Sequence, residues 1–199
     1  MNLSVPIFLL HGLGSHAVTL LPLEMYLNSM GFQNTHRVSY PVDYFDTVEK
    51  SVEYVDSELS QFAEKEKDEI VLIGQSMGGV VANNLHKKGW KVRKAVYIGS
   101  PLHAAQLLNQ LESFLPTKIR DFLYKKPYDI LKDKEREEEP PHDYHTVSMG
   151  WFNSRFDGCV YVDEAKLDEG KHTHLGWADH RTIFANPRLW KLVYDKISC

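Results

Sequence analysis

A chain of 199 residues, 43% hydrophobic and 25% charged, suits one domain with a sizeable core. Its formal net charge of −4 lacks the basic surplus of a nucleic-acid binder. Two cysteines, Cys159 and the terminal Cys199, make no disulfide framework. The apolar stretch Val5–Leu10 is too short to span a membrane and has no basic region before it, so neither a signal peptide nor a membrane segment is expected, and the expectation is a soluble, cytoplasmic protein.

Along the chain, short apolar runs alternate with amphipathic stretches, the pattern of a parallel sheet with helices on both faces. Strands are expected at Ser4–Leu10, Asn34–Tyr40, Glu69–Ile73, Lys94–Ile98, Tyr144–Met149 and His172–Trp177. Buried parallel strands are almost continuously apolar, so His36, Arg37, His172 and His174 place the second and sixth strands at sheet edges. Helices are expected at Thr19–Met30, Thr47–Lys65, Met77–Lys88, Ala104–Leu115, Lys118–Tyr124 and Asn186–Ile197. In the last, Pro187 occupies the first turn, where a missing N–H costs nothing. The run Lys132–Pro141 holds no apolar residue and reads as a solvated loop, or as the hinge of a mobile cap.

The most informative segment is Gly74-Gln75-Ser76-Met77-Gly78-Gly79, which directly follows Ile70–Ile73 and opens a helix. A serine on a sharp strand-to-helix turn is held in a strained conformation with its hydroxyl above the sheet, flanked by glycines where a Cβ would collide. A Gly-rich turn of this kind also occurs for packing alone, so the rest of the chain has to be weighed.

Acyl transfer by a serine needs a base, an acid that orients it, and N–H donors for the oxyanion. The first strand runs into His11-Gly12-Leu13-Gly14, a loop able to present the Leu13 N–H, with the Met77 N–H as the second donor. Asp157, after the fifth strand, is the candidate acid, with Asp163 and Asp168 as rivals. His180, after the last strand and before the last helix, is the candidate base. His172 and His174 are rivals that fall within a strand, and His11 reads as loop structure ordering the oxyanion turn. The chain order is Ser76, Asp157, His180.

With these residues in this order, the chain resembles the α/β-hydrolase superfamily, in particular its small lipase- or esterase-like members. The likeness rests on His11–Gly14, the Gly74–Gly79 elbow, Gly99-Ser100-Pro101, Asp157-Gly158 and the His180 loop. It implies a single three-layer α/β-hydrolase domain over residues 1–199, with a mostly parallel sheet of about six strands, and a cofactor-free carboxylic ester hydrolase working through an acyl-enzyme on Ser76. The chain departs from larger members in lacking two leading strands and a large cap. A short insertion, 102–141, stands where caps are placed.

The expected substrate is a small ester with an apolar acyl group, lined by Leu102, His103 and Leu107, because apolar walls with a few polar groups are typical of ligand pockets. Thioesterase or acyltransferase chemistry on the same site, and a hydrolase-fold protein that only binds, are the alternatives. His172, His174, Asp179 and His180 also suggest a zinc site on ligand type alone, though no complete zinc spacing follows.

Overall fold

Ile7-Phe8-Leu9-Leu10 is buried without exception, as a strand with helices on both faces must be. In the computed structural model, which describes residues 4–41, 48–102, 140–150 and 154–198, this run is β1 (Ile7–Leu10). It is followed by β2 (Thr35–Val38), β3 (Glu69–Gln75), β4 (Lys91–Ile98), β5 (Asp143–Gly150) and β6 (His172–Gly176). The six strands form one sheet in the order β2-β1-β3-β4-β5-β6, parallel at every pairing. The polar strands β2 and β6 are its edges, as their sequences imply, and most of their residues are partly exposed.

Alternation along each strand divides the core in two. Phe8, Leu10, Ile70, Leu72, Ala95, Tyr97 and Tyr144 face α2 (Val48–Leu59) and α3 (Met77–Leu85). Ile7, Leu9, Val71, Ile73, Val96, Ile98, Val147 and Met149 face α1 (Leu21–Ser29) and α5 (Pro187–Ser198). On α5, Leu189, Val193 and Ile197 recur every four residues and are buried, each burial contributing about 1.5–3 kcal/mol. Asn186 Oδ1 accepts the Arg188 N–H at 2.9 Å, which closes the first turn of that helix behind Pro187.

Helix ends differ from the sequence expectation where turns tighten. The first expected helix starts as a 3₁₀ turn, Ala17–Leu20, before α1. The second ends at Leu59, because Gln61 and Phe62 donate three residues back, to Glu58 and Leu59. A short helix that the sequence pattern does not reveal, α4 (Val162–Ala165), begins where Glu164 Oε2 accepts the Tyr161 N–H at 2.7 Å. The expected helices Ala104–Leu115 and Lys118–Tyr124, with most of the 102–141 insertion, lie outside the described residues. Among the described residues no helix is long and apolar enough to cross a membrane.

Candidate active site

The strand-to-helix turn after β3 brings the backbone of Ser76 to φ 54° and ψ −125°, a region that L-residues avoid and that costs of order 1–3 kcal/mol. The turn is held there by its surroundings. The Ser76 N–H donates to Ile98 O at 2.9 Å, and the Gly79 N–H donates to Ser76 O at 3.0 Å. A Cβ on Gly74 would stand 2.4 Å from Gly78 O, and one on Gly78 would stand 2.4 Å from Leu10 O. No side chain fits at either position, so the two glycines let the strand, the turn and the helix pack in direct contact. Met77 opens α3, whose first turn leaves N–H groups without intrahelical partners, aimed along the positive end of the helix dipole.

The loop after β1 lies against this turn. A Cβ on Gly12 would come within 2.8 Å of Ser76 Cβ and 2.7 Å of Gln75 Oε1. The loop is pinned through His11, which is 2% exposed. Its Nδ1 pairs with Gly12 O at 3.0 Å, its own carbonyl accepts the Tyr40 hydroxyl at 2.5 Å, and its ring stacks on Tyr40 with centroids 4.5 Å apart. Burial lowers the His11 pKa, so the ring is held neutral. These contacts give His11 a structural role in the loop, as expected for it. Leu13 is half-buried and packs against the core.

Asp157 and His180 come together from two loops. Asp157 Oδ2 accepts the His180 Nδ1–H at 2.8 Å, with only 1% of the Asp157 side chain and 10% of the His180 side chain exposed. Asp157 Oδ1 accepts the N–H groups of Cys159 at 2.9 Å and Val160 at 2.7 Å, in a turn that Gly158 completes at φ 99°. A carboxylate with these partners is an acceptor only. In the neutral imidazole this bond places the proton on His180 Nδ1 and leaves the lone pair on Nε2. The two residues are also joined through the backbone, where the His180 N–H donates to Asp157 O at 3.1 Å.

The rivals are engaged elsewhere. Asp163 pairs with Arg155 at 2.5 Å on the surface. Asp168 Oδ1 accepts the Gly170 N–H at 2.8 Å. On β6, His172 sits between Thr146 and Ser148 at 2.7 and 2.9 Å, and His174 Nδ1 meets Ser148 at 2.9 Å. Among the described residues no three His, Cys, Asp or Glu converge in a group able to hold a metal ion.

Of the pocket residues expected from sequence, Leu102 is buried in the core, while His103 and Leu107 lie outside the described residues. Two positions carry no roles in the sequence reading yet lie at the junction. Gln75 Nε2–H donates to His180 O at 3.0 Å. At Gly99, φ is 52°, and a Cβ would stand 3.1 Å from Asp157 Oδ2 and 3.3 Å from His180 Nδ1. Gly99 could have been suspected from its place at the strand end. A contact spanning 105 residues, such as that of Gln75, leaves no local signal.

A parallel sheet flanked by helices, with a strained serine at the β3–α3 turn, defines an α/β-hydrolase fold. The chain belongs to the PGAP1-like alpha/beta domain family, whose pattern matches residues 33–157. Solved structures share the fold at low identity. A Bacillus licheniformis lipase in mature form is 17% identical with a TM-score of 0.72, covering 99% of this chain and 93% of that one. An N-acyl homoserine lactonase complexed with N-butanoyl homoserine is 14% identical with a TM-score of 0.69, covering 98% and 88%. An esterase from Exiguobacterium antarcticum is 12% identical with a TM-score of 0.65, covering 98% and 92%. No curated protein matches the sequence.

Proposed function

We propose that this chain is one α/β-hydrolase domain that cleaves carboxylic esters through an acyl-enzyme on Ser76. The observation that carries the reading is the buried Asp157–His180 pair, which fixes the tautomer a base needs, in the same molecule as a serine strained at the head of α3.

In this reading His180 Nε2 takes the Ser76 hydroxyl proton as Oγ attacks the acyl carbon. The imidazolium that forms is stabilised by Asp157, which stays ionised. The carbonyl oxygen becomes an oxyanion and is received by the N–H groups of Leu13 and Met77. Collapse of the tetrahedral species breaks the C–O bond to the alcohol, which leaves with the proton from His180. Water then repeats the sequence in reverse roles, releasing the acid and free Ser76. Gly12 serves this geometry by letting the Leu13 loop approach Ser76 closely. No cofactor enters any step.

The structural neighbours named above are a lipase, a lactonase and an esterase, which supports an ester or lactone carbonyl as the target. The apolar acyl group rests on the sequence expectation for Leu102, His103 and Leu107, of which Leu102 is buried in the core and the other two lie outside the described residues. The test is a series of p-nitrophenyl esters from acetate to decanoate with wild-type protein and Ser76→Ala. Turnover that requires Ser76 and favours apolar chains supports the reading. Turnover that survives in Ser76→Ala contradicts it.

A further inference from the structure

The reading of Ser76, Asp157 and His180 assigns nothing to Gln75, the residue immediately before the serine. Its side chain is buried, with 6% of the residue exposed. It shares the strand face of Val71 and Ile73, the face that packs against α1 and α5, and the His180 loop leads into that layer. Its Nε2–H donates to the His180 carbonyl at 3.0 Å. Its Oε1 lies where a Cβ on Gly12 would meet it at 2.7 Å. One amide thus touches the base loop and the oxyanion loop, while its own backbone leads into Ser76.

We infer that Gln75 is a positioning residue, resting on the proposed serine chemistry, that sets the distance between the His180 imidazole and the Ser76 hydroxyl. The His180 backbone is held at both ends. Its N–H goes to Asp157 O at 3.1 Å, and its C=O accepts from Gln75. The Asp157 contacts fix the tautomer and tie His180 to the Asp157 turn, yet both partners sit on loops and can shift together. Gln75 is the contact that ties this pair to β3, the element bearing the serine. Without its donor, the buried His180 carbonyl loses its partner and the loop is free to drift from Ser76. Misplacement of about 1 Å is enough to cost orders of magnitude in rate.

The test uses Gln75→Met, which keeps the length but has no donor, and Gln75→His, which restores an N–H. Each is compared with wild type by fluorophosphonate labelling rate and by kcat and KM on a p-nitrophenyl ester, normalised to the fraction folded. Gln75→Met is expected to label and turn over about tenfold more slowly with KM within about twofold, and Gln75→His to recover most of that loss. A purely structural role would lower the folded fraction and leave the rate per folded molecule unchanged, and that result overturns the inference. If Gln75→Met does not fold, Gln75→Glu, equal in length and without a donor at neutral pH, is read by the same quantities. Wild-type protein that labels on Ser76 while the variants match it overturns the role of Gln75 alone. Wild-type protein that does not label overturns the serine reading and this inference with it.

Discussion

The carboxylate of Asp157 divides its two oxygens between two tasks, Oδ2 holding His180 Nδ1 at 2.8 Å and Oδ1 closing its own turn on the N–H groups of Cys159 and Val160. The division separates orientation of the base from stability of the loop, so the two can be dissected by substitution. Asp157→Asn can keep an oxygen on the turn while its amide NH₂ faces Nδ1 and favours the wrong tautomer. We expect kcat to fall by about three to four orders of magnitude with little change in thermal stability. Asp157→Ala also orphans the turn, and should cost about 1–3 kcal/mol in a denaturant titration. Equal loss of stability in both variants would contradict this division.

Ser76 pays for its exposure with a backbone φ of 54°. Ser76→Ala should abolish ester turnover and leave the circular dichroism spectrum unchanged. Ser76→Gly should also be inactive but melt at a higher temperature than Ser76→Ala, by about 1 kcal/mol in equivalent stability, since glycine adopts positive φ freely. A Gly variant melting below the Ala variant would show that the turn is not strained.

Gly12→Ala should reduce turnover more than stability. Its new methyl would meet Gln75 Oε1 at 2.7 Å and Ser76 Cβ at 2.8 Å, so the loop carrying the Leu13 N–H and the Ser76 turn must move apart. A loss of one oxyanion donor corresponds to about 10²–10³ in kcat. Steady-state kinetics on the folded variant checks this, and an unchanged kcat counts against Leu13 as a donor.

Acid should weaken the fold through two histidines remote from Ser76. Burial is the main cause that lowers His142 and His145 to about 4 from the ordinary 6.5. His142 Nε2 meets the Tyr97 hydroxyl at 3.0 Å and its Nδ1 is buried without a partner. His145 Nε2 meets Thr173 Oγ1 at 2.8 Å. A depressed histidine favours the neutral folded form. Its contribution is therefore complete above about pH 6.5 and is lost as pH falls toward about 4. Melting temperatures followed across that range should drop, with a shallower slope in His142→Asn and His145→Asn. Parallel slopes in wild type and variants would remove these residues as the cause.

Much of the architecture could be read from the chain because parallel strands and their edges have strong local signatures. Ile70–Ile73 is apolar throughout and central, whereas His36 and His172 mark strands that are only half covered. The Gly74–Gly79 turn was legible because steric exclusion demands glycine at fixed spacing around a strained residue. What could not be read depends on distant partners. Gln75 reaching His180, Tyr40 stacking on His11, and the end of α2 at Leu59 are decided by tertiary packing and by competing turn bonds, neither of which has a period in sequence. His103 and Leu107, expected from the sequence to line the pocket, lie outside the described residues.

Covalent labelling with a fluorophosphonate reads out whether Ser76 is an activated nucleophile. Wild-type protein is incubated with the probe, its intact mass is measured and the modified peptide is mapped, with Ser76→Ala alongside. One adduct per chain is expected, located on Ser76 and absent from Ser76→Ala. Folded wild-type protein that gains no adduct, or gains it on another residue, would rule out Ser76 as the nucleophile.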